Sequence, residues 1–363
     1  MNIAFYLDEM NFRGVSNSTY QFALNNEKIL KNKSIIFYNK KNYRNKNEVI
    51  VKFKKSFRVY GVTQFEEINK YKKKFNIKFI YTQKSGNKDS WFSSEIKTIV
   101  HSVYPQKLNQ IHGYNYAYIS EWLSKNFSNK KIPFVPYITE SSIIKKNLKK
   151  KLKINNKKIV FGCHGGSSSF DIKFAQDSIL ATVEKRSDII FLFLNIDKFC
   201  NHRQIKFIKG TSDENFKKKF INTCDAMIYG RSLGESFGLA CAEFAIQNKE
   251  IISYRFNRHR SHKYSTSSKN FLEYCSYKSL CNILLNYNKK NSSENYKSKY
   301  EKYRKKNVMK IFKKVFLTKK NENHFNITDH IINTISHLKM YYLYCRHKIY
   351  TFYFNYVESK FFI

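Results

Sequence analysis

Two glutamates, Glu235 and Glu243, are the residues of this 363-residue chain best placed by type and spacing to do chemistry. They are separated by seven residues in the segment GESFGLACAE. We expect Glu235 in a loop and Glu243 about two turns into the following helix, facing the same ligand. Their carboxylates could then accept hydrogen bonds from hydroxyls at opposite ends of one molecule. Gly238 and Leu239 would start the helix, where free backbone N–H groups and the dipole favour a diphosphate.

The segment Asp225 to Tyr254 is predicted as strand, glycine-punctuated loop, helix and strand. It resembles the GT-B retaining glycosyltransferases usually called family 4, whose signature is E-[SG]-F-G-x-x-x-x-E after a strand. Glu235 and Glu243 fit the two glutamates, and Phe237 and Gly238 fit the interior. The resemblance implies that Glu235 holds the transferred sugar and Glu243 the ribose of a nucleotide-sugar donor. A helix with an acidic capping loop and an amphipathic glutamate is the alternative, because a bare E-x7-E arises by chance.

A second match follows the first strand of the C-terminal half, in the segment FGCHGG. Family members usually place an arginine after the first glycine and a lysine several residues later, and the pair neutralises the leaving diphosphate. Cys163 stands at the arginine position, so the resemblance implies either that Arg231 compensates or that turnover is weakened. Lys173 is the remaining phosphate candidate, with a solvated helix lysine as its alternative. Gly165 and Gly166 would approach the donor or simply make the turn.

The N-terminal half offers a histidine and a loop. His101 ends an apolar strand, where the family often has a histidine beside the sugar; a satisfied buried histidine is the alternative. Arg13 and Gly14 follow the first strand, where the family carries a glycine-rich turn near the acceptor and the donor phosphates. The loop Lys84 to Asp89 fits a generic surface loop better than an acceptor contact. The whole resemblance covers roughly Met1 to Leu285.

Composition limits the partners without choosing among them. Lys plus Arg number 67 against 27 for Asp plus Glu, a net charge of +40, which suits anionic membranes, polyanions or phosphorylated substrates. No RNP-type motif, zinc-finger spacing or basic heptad region indicates a specific nucleic-acid reader. Seven cysteines without a CxxC pair favour a reducing compartment and oppose a zinc site. The sequence thus favours a cytoplasmic protein and leaves a peripheral membrane contact open.

Apolar runs alternate with amphipathic stretches, which predicts parallel sheets covered by helices on both faces. The predicted strands are Ile3–Leu7, Ser34–Tyr38, Val49–Phe53, Ile77–Tyr81, Thr98–Val103, Lys158–Gly162, Asp188–Asn195, Ile205–Ile208, Ala226–Tyr229 and Ile251–Tyr254. The predicted helices include Ser18–Leu30, Phe65–Phe75, Tyr116–Phe127 and Asp171–Glu184. The expected fold is α/β, with two tandem Rossmann-like doubly wound domains facing a ligand-binding cleft.

Prolines and a lysine-rich segment place the domain boundary after residue 137. The predicted divisions are 1–137 for the acceptor domain, 138–288 for the donor domain and 289–363 for a basic, aromatic extension. We expect Tyr341 to Ile363 either to form a helix packed on the N-terminal domain or to contact a membrane.

The function implied by the resemblance is transfer of a sugar, hexosyltransferase-like, from a nucleotide diphosphate to a glycan or lipid-linked hydroxyl, with retention, as in polysaccharide biosynthesis. No cofactor and no essential metal are expected. One alternative is a catalytically weakened GT-B scaffold that binds polyanions or membranes, and another is a nucleotide-sugar epimerase.

Overall fold

The computed structural model describes residues 1–139, 146–266, 271–288, 302–318, 320 and 324–357. Two compact units divide the chain: the first contains 1–139 and 302–337, and the second contains 140–301 and 338–363. The first part of the predicted extension, residues 289–301, lies outside the described residues.

The first unit is built on a six-stranded parallel sheet with the strand order β3-β2-β1-β4-β5-β6. Its strands are β1 (Asn2–Leu7), β2 (Lys33–Asn39), β3 (Arg58–Val62), β4 (Ile77–Lys84), β5 (Lys97–Ser102) and β6 (Asn115–Tyr118). Its helices are α1 (Gly14–Lys28), α2 (Asn47–Lys54), α3 (Lys72–Phe75), α4 (Glu121–Ser128) and α10 (Lys305–Phe312), with 3-10 turns at Phe65–Tyr71 and Leu108–Gln110 and a π turn at Lys313–Leu317. Side chains of β1 and β4, including Phe5 and Tyr81, are fully buried at its centre.

The second unit repeats the plan with the order β14-β12-β10-β7-β8-β9, and a short β11–β13 pair lies beside it. Its strands are β7 (Ile159–His164), β8 (Ile189–Leu194), β9 (Ile205–Ile208), β10 (Ala226–Tyr229), β11 (Gly234–Glu235), β12 (Glu250–Tyr254), β13 (His259–Arg260) and β14 (Phe271–Tyr274). Its helices are α5 (Lys173–Lys185), α6 (Glu214–Thr223), α7 (Leu239–Ile246), α8 (Ser261–Ser265) and α9 (Tyr277–Leu285). The continuous apolar run in β8 is buried on both faces, as predicted for a central parallel strand.

Counted in chain order within each unit, both main sheets have the Rossmann order 3-2-1-4-5-6. In this order the connections reverse direction between the first and fourth strands. Ligands of open parallel sheets bind at the carboxyl ends of the strands at this point. The reversal lies between β1 and β4 in the first unit and between β7 and β10 in the second. The α/β class and the two doubly wound sheets expected from the sequence are confirmed.

Two element predictions are wrong for local reasons. Val49–Phe53 lies in helix α2, where Val49 and Phe53 are buried one turn apart and Val51 is exposed, so the apparent strand alternation was coincidental. The predicted helix Tyr116–Phe127 is instead strand β6 followed by α4. Ser120 separates the two, and its side chain accepts the Leu123 N–H as an N-cap.

The last helix, α11 (Ile327–Tyr356), belongs to both units in turn. Tyr350 and Phe354 pack against Phe174 of α5, and the Tyr350 hydroxyl accepts the Tyr277 N–H at 3.0 Å. The described part of the aromatic tail, which ends at residue 357, therefore packs on the C-terminal unit, whereas the sequence had suggested the N-terminal domain. No helix within the described ranges is both apolar and long enough to cross a bilayer. All seven cysteines are free thiols.

Candidate functional site

The candidate site lies where β7 and β10, neighbours in the second sheet, both end. Met227 pairs with Gly162 in this parallel register, and extending it by two residues brings Tyr229 level with His164. Tyr229 and His164 are the last residues of their strands. Tyr229 contacts Glu235 and His164 contacts Glu243, so both glutamates lie at the reversal point of the sheet.

Glu235 lies in β11, in the connection between β10 and α7. Its Oε1 accepts the Tyr229 hydroxyl at 2.8 Å and Nη1 of Arg231 at 3.1 Å. Burial, and next the negative charge of Glu235, raise the pKa of Tyr229, so the phenol stays protonated and acts as a donor. The Glu235 side chain remains 22% exposed and can still reach a ligand.

The connection that carries Glu235 is fixed at the end that follows β10. The Asp171 carboxylate accepts the backbone N–H of Ser232 at 2.7 Å and its hydroxyl at 2.9 Å. Buried Asn257 donates to the carbonyl of Arg231 at 2.6 Å. Gly234 has φ +73°, and a Cβ there would lie 2.1 Å from the carbonyl oxygen of His259, so only glycine fits.

Gly238 and Leu239 start helix α7, as their positions in the sequence indicate. Gly238 adopts a left-handed conformation with φ 92° and is the N-cap residue. As a glycine, this N-cap residue has no side chain that could accept the first N–H groups of the helix. An anion-binding helix start needs such N–H groups left uncapped by the N-cap residue.

Glu243 is the fifth residue of α7, little more than one turn from its start rather than the expected two. Its Oε1 lies 2.8 Å from Nζ of Lys217, and its Oε2 lies 3.0 Å from Nε2 of His164. Lys217, on α6, also contacts Glu214 at 3.0 Å. The side chain of Glu243 is 17% exposed, as is that of Lys217. We call Glu243, Lys217 and His164 the Glu243 cluster.

The cluster keeps both ionic groups charged. Burial alone would raise the pKa of Glu243, but the attraction of Lys217 and the contact with His164 outweigh it and hold the pKa well below 4.5. Burial would likewise lower the pKa of Lys217, but Glu243 and Glu214 raise it above 10.5. Glu243 is therefore a carboxylate at neutral pH, and it can accept hydrogen bonds from the hydroxyls of a ligand.

The candidate phosphate-binding residues near β7 differ in charge, burial and contacts. Cys163 is 1% exposed, and burial, followed by the charge of Glu235, raises the pKa of its thiol. No cation stands at this position, where the resemblance noted in the sequence implies an arginine. Lys173 is the first residue of α5, two positions after Asp171, and its side chain is 59% exposed and paired with Asp177. Arg231 is the cation that directly contacts Glu235.

The two glycines after β7 lie in the turn that leads to α5. The carbonyl of Gly165 accepts Nδ2 of Asn195 at 2.6 Å, and that of Gly166 accepts the Ser169 N–H at 2.9 Å. These bonds use the carbonyls of both glycines inside the turn.

His101 has the geometry of a satisfied core histidine. It is fully buried, with Nδ1 2.6 Å from the Tyr81 hydroxyl and Nε2 2.8 Å from the carbonyl of Val135. Burial lowers its pKa to about 3, so the ring is neutral at physiological pH. Both ring nitrogens are used within the first unit, which favours the structural alternative over a contact with a sugar.

Arg13 and Gly14 lie at the reversal point of the first sheet, at the start of α1. The loop before them is held by its own polar groups, because the Asn11 side chain accepts the Arg13 N–H at 2.9 Å. The Arg13 side chain is 45% exposed and lies 4.0 Å from Glu9. It is accessible to an anionic ligand of this unit.

Three contributors to the site were missed at the sequence level: His164, Lys217 and Tyr229. The two strand-ending residues could have been found, because the last residue of a parallel strand points to the ligand-binding edge. Lys217 lies in a run of three lysines, and of the three it alone has both Phe220 and Ile221 on its helical face, three and four positions ahead.

No family model and no curated protein sequence matches this chain. Solved structures match it at the level of fold. Anabaena HepE in complex with UDP-glucose aligns with TM-score 0.59 and 10% identity over 94% of this chain and 99% of that one. A glycosyltransferase from Rickettsia africae aligns with TM-score 0.57 and 12% identity over 93% and 97%.

A Listeria monocytogenes protein that carries the name of a UDP-N-acetylglucosamine 2-epimerase aligns with TM-score 0.56 and 10% identity over 90% and 99%. The same architecture thus serves transferases and a protein named for a different reaction. At these identities the likeness concerns the fold alone. The chain has the GT-B fold: two parallel, doubly wound α/β sheets in tandem.

Proposed function

We propose that the protein is a glycosyltransferase that binds a nucleotide-diphosphate sugar at the ends of β7 and β10 and transfers the sugar to an acceptor hydroxyl. The observation that carries the proposal is the pair Glu235 and Glu243, one on each side of the open start of α7 at the sheet reversal. Anabaena HepE, with the same fold, was crystallised with UDP-glucose.

Each part of the donor has a matching group. Glu243, kept ionised by Lys217 and His164, would accept the ribose hydroxyls, since hydrogen bonds to charged acceptors are stronger than neutral ones. The start of α7 would bind the diphosphate through backbone N–H groups. Glu235, oriented by Tyr229 and Arg231, would hold the hydroxyls of the transferred sugar.

During transfer, the bond from the anomeric carbon to the diphosphate oxygen breaks with its electron pair on that oxygen. A bond to the acceptor oxygen forms, and the acceptor proton passes to the departing diphosphate. Negative charge builds up on the leaving diphosphate. Arg231, Lys173 and the α7 N–H groups would stabilise that charge electrostatically. The proposal includes retention of configuration, independence of an essential metal, and a glycan or lipid-linked glycan as acceptor.

Two alternatives use the same fold. A scaffold with weakened turnover is favoured by one specific observation, the buried Cys163 at the position where a cation is expected. An epimerase is favoured by the fold shared with the Listeria protein. The three functions differ in what happens to a bound nucleotide sugar without an acceptor.

The test is to incubate the protein with UDP-, GDP- and ADP-sugars and follow the sugar by NMR, with and without simple glycoside acceptors. A transferase converts the donor to nucleoside diphosphate plus glycoside, and Glu235→Gln should slow this at least about tenfold. Glu184→Gln, an exposed glutamate on α5, is the matched control and should keep wild-type rates.

Epimerisation of the sugar without an acceptor would show that the protein is an epimerase. Nucleotide binding without any turnover would show that it is a scaffold with lost activity. Equal rates for wild type and Glu235→Gln would refute the assignment of the site.

A further inference from the structure

The last helix carries an apolar stripe on its outer face. Between Leu338 and Tyr356, residues spaced alternately four and three positions apart form one line along α11. The outer stripe consists of Leu338, Tyr342, Cys345, Ile349, Phe352 and Tyr356. Apart from the partly buried Cys345, its members are between 57% and 69% exposed. All six belong to the second unit.

The opposite face of the same helix is already occupied. Leu343 and Phe354 are buried, His347 packs on Tyr254, and Tyr350 packs on Phe174. An amphipathic helix on a protein surface normally has one apolar face toward the core and a polar face toward water. This helix is apolar on both faces, so the outer stripe needs an explanation that folding of the unit does not supply.

Between Leu338 and Val357, the exposed charged side chains of the last helix are all basic. The Lys, Arg, Asp and Glu residues in this range are Lys339, Arg346 and Lys348, so the range contains no acidic side chain. Arg346 stacks over Phe256 at 3.9 Å and donates to the Tyr342 hydroxyl at 3.2 Å, which keeps its charge next to the stripe. Tyr341 and Tyr353 add exposed aromatic rings with polar tips. Amphipathic rings and basic side chains together are typical of surfaces that lie in the headgroup region of a bilayer.

We propose that the outer stripe of α11 is a docking surface for an anionic lipid bilayer. Phe352, Ile349 and Leu338 would enter the boundary between headgroups and acyl chains. Lys339, Lys348 and Arg346 would lie among the anionic headgroups, where basic residues are attracted by the negative surface potential. The helix itself would remain packed on its unit and lie flat on the bilayer surface.

Charge complementarity selects this occupant over a second copy of the chain. The three-and-four spacing would also suit a coiled coil, but such pairs are usually supported by opposite charges flanking the seam. Here the flanking charges have one sign, and each copy would bring a net charge of +40. An anionic surface is attracted by the same charges that repel a second copy. The proposal does not depend on the donor chemistry above.

Flotation of the full-length protein with vesicles tests the proposal. Vesicles of phosphatidylcholine alone are compared with vesicles that also contain phosphatidylglycerol, at low and high ionic strength. We expect binding to the anionic vesicles that weakens with salt. The double variant Ile349→Glu with Phe352→Glu should lower the partition coefficient at least about tenfold. Its circular dichroism and unfolding temperature should stay unchanged, since both side chains are exposed.

A matched double variant controls for the added negative charge. Tyr43→Glu with Phe92→Glu introduces the same two charges at exposed aromatic positions of the first unit, and it should bind vesicles like wild type. Lys339→Gln with Lys348→Gln tests the electrostatic part without touching an apolar side chain. It should reduce binding to anionic vesicles and leave the unfolding temperature unchanged.

Three results would overturn the proposal. The first is absence of vesicle binding by the wild type, and the second is equal loss of binding in the stripe variant and its matched control. The third is concentration-dependent dimerisation in sedimentation velocity that the stripe variant abolishes, which would assign the stripe to a second copy.

Discussion

Replacing Lys217 by methionine should destabilise the protein, because it leaves the Glu243 carboxylate partly buried with His164 as its one remaining ionic contact among the described residues. Removing one partner of a fully buried ion pair costs about 3–5 kcal/mol. Here the side chains are 17% exposed and His164 remains, so we expect a loss of about 2–3 kcal/mol in the free energy of unfolding. Glu243→Gln should cost less, about 1–2 kcal/mol, because Lys217 keeps Glu214.

The assay is a double-mutant cycle in urea, followed by circular dichroism. The double variant should cost less than the sum of the single variants by about 1–2 kcal/mol, the coupling expected for groups in contact. Lys219→Met, on the same helix, removes the same charge without touching Glu243 and is the matched control.

The coupling should also depend on pH with a definite sign. The lowered pKa of Glu243 means that its contribution is present above pH 4.5 and lost as the pH falls through the lowered value. The raised pKa of Lys217 means that its contribution is present below pH 10.5 and lost as the pH rises through the raised value. Additive single-variant costs at pH 7, or a coupling that does not change in acid, would refute the cluster.

Three further predictions concern other parts of the fold. Gly234→Ala should destabilise the protein by at least about 2 kcal/mol in urea unfolding, through left-handed strain and the clash with the His259 carbonyl; unchanged stability would contradict the observed backbone. His101 is neutral in the folded protein and takes up a proton on unfolding, so it lowers the free energy of unfolding as the pH falls from 6.5 toward about 3. His101→Phe should remove this part of the acid destabilisation. An unchanged curve of stability against pH would contradict this. Arg231→Gln should reduce kcat for sugar transfer at least about tenfold, whereas a change confined to nucleotide affinity would place Arg231 away from the reacting bond.

The sequence predicts the parallel sheets well because buried parallel strands form continuous apolar runs, as in Asp188–Asn195, and their helices alternate with them. It fails where a short segment satisfies two periodicities. Val49, Val51 and Phe53 alternate like a strand, and packing of Val49 and Phe53 on one helical face decides otherwise. Strand β6 was not recognised in the sequence because its composition resembles that of the helix that follows Ser120, and the two were predicted as one helix.

The glycine-punctuated turn and the start of α7 could be placed from the sequence, since Gly234 and Gly238 mark backbone that other residues avoid. The partners of the glutamates could not. Lys217 reaches Glu243 from a different helix, and the pairing depends on how α6 packs beside α7 rather than on spacing along the chain. His101 shows the converse: a strand-end histidine looks reactive in sequence, whereas the fold surrounds it with Tyr81 and Val135.

The central claim is that a nucleotide binds at Glu243, at the ends of β7 and β10. Calorimetric titration of UDP, GDP, ADP and CMP into wild type, Glu243→Gln and the control Glu184→Gln tests it most directly. We predict that one nucleotide binds selectively to wild type and to Glu184→Gln, and about tenfold to a hundredfold more weakly to Glu243→Gln, the loss expected for one hydrogen bond to a charged group. Equal affinity in all three proteins, or no binding of any nucleotide to the wild type, would contradict the claim.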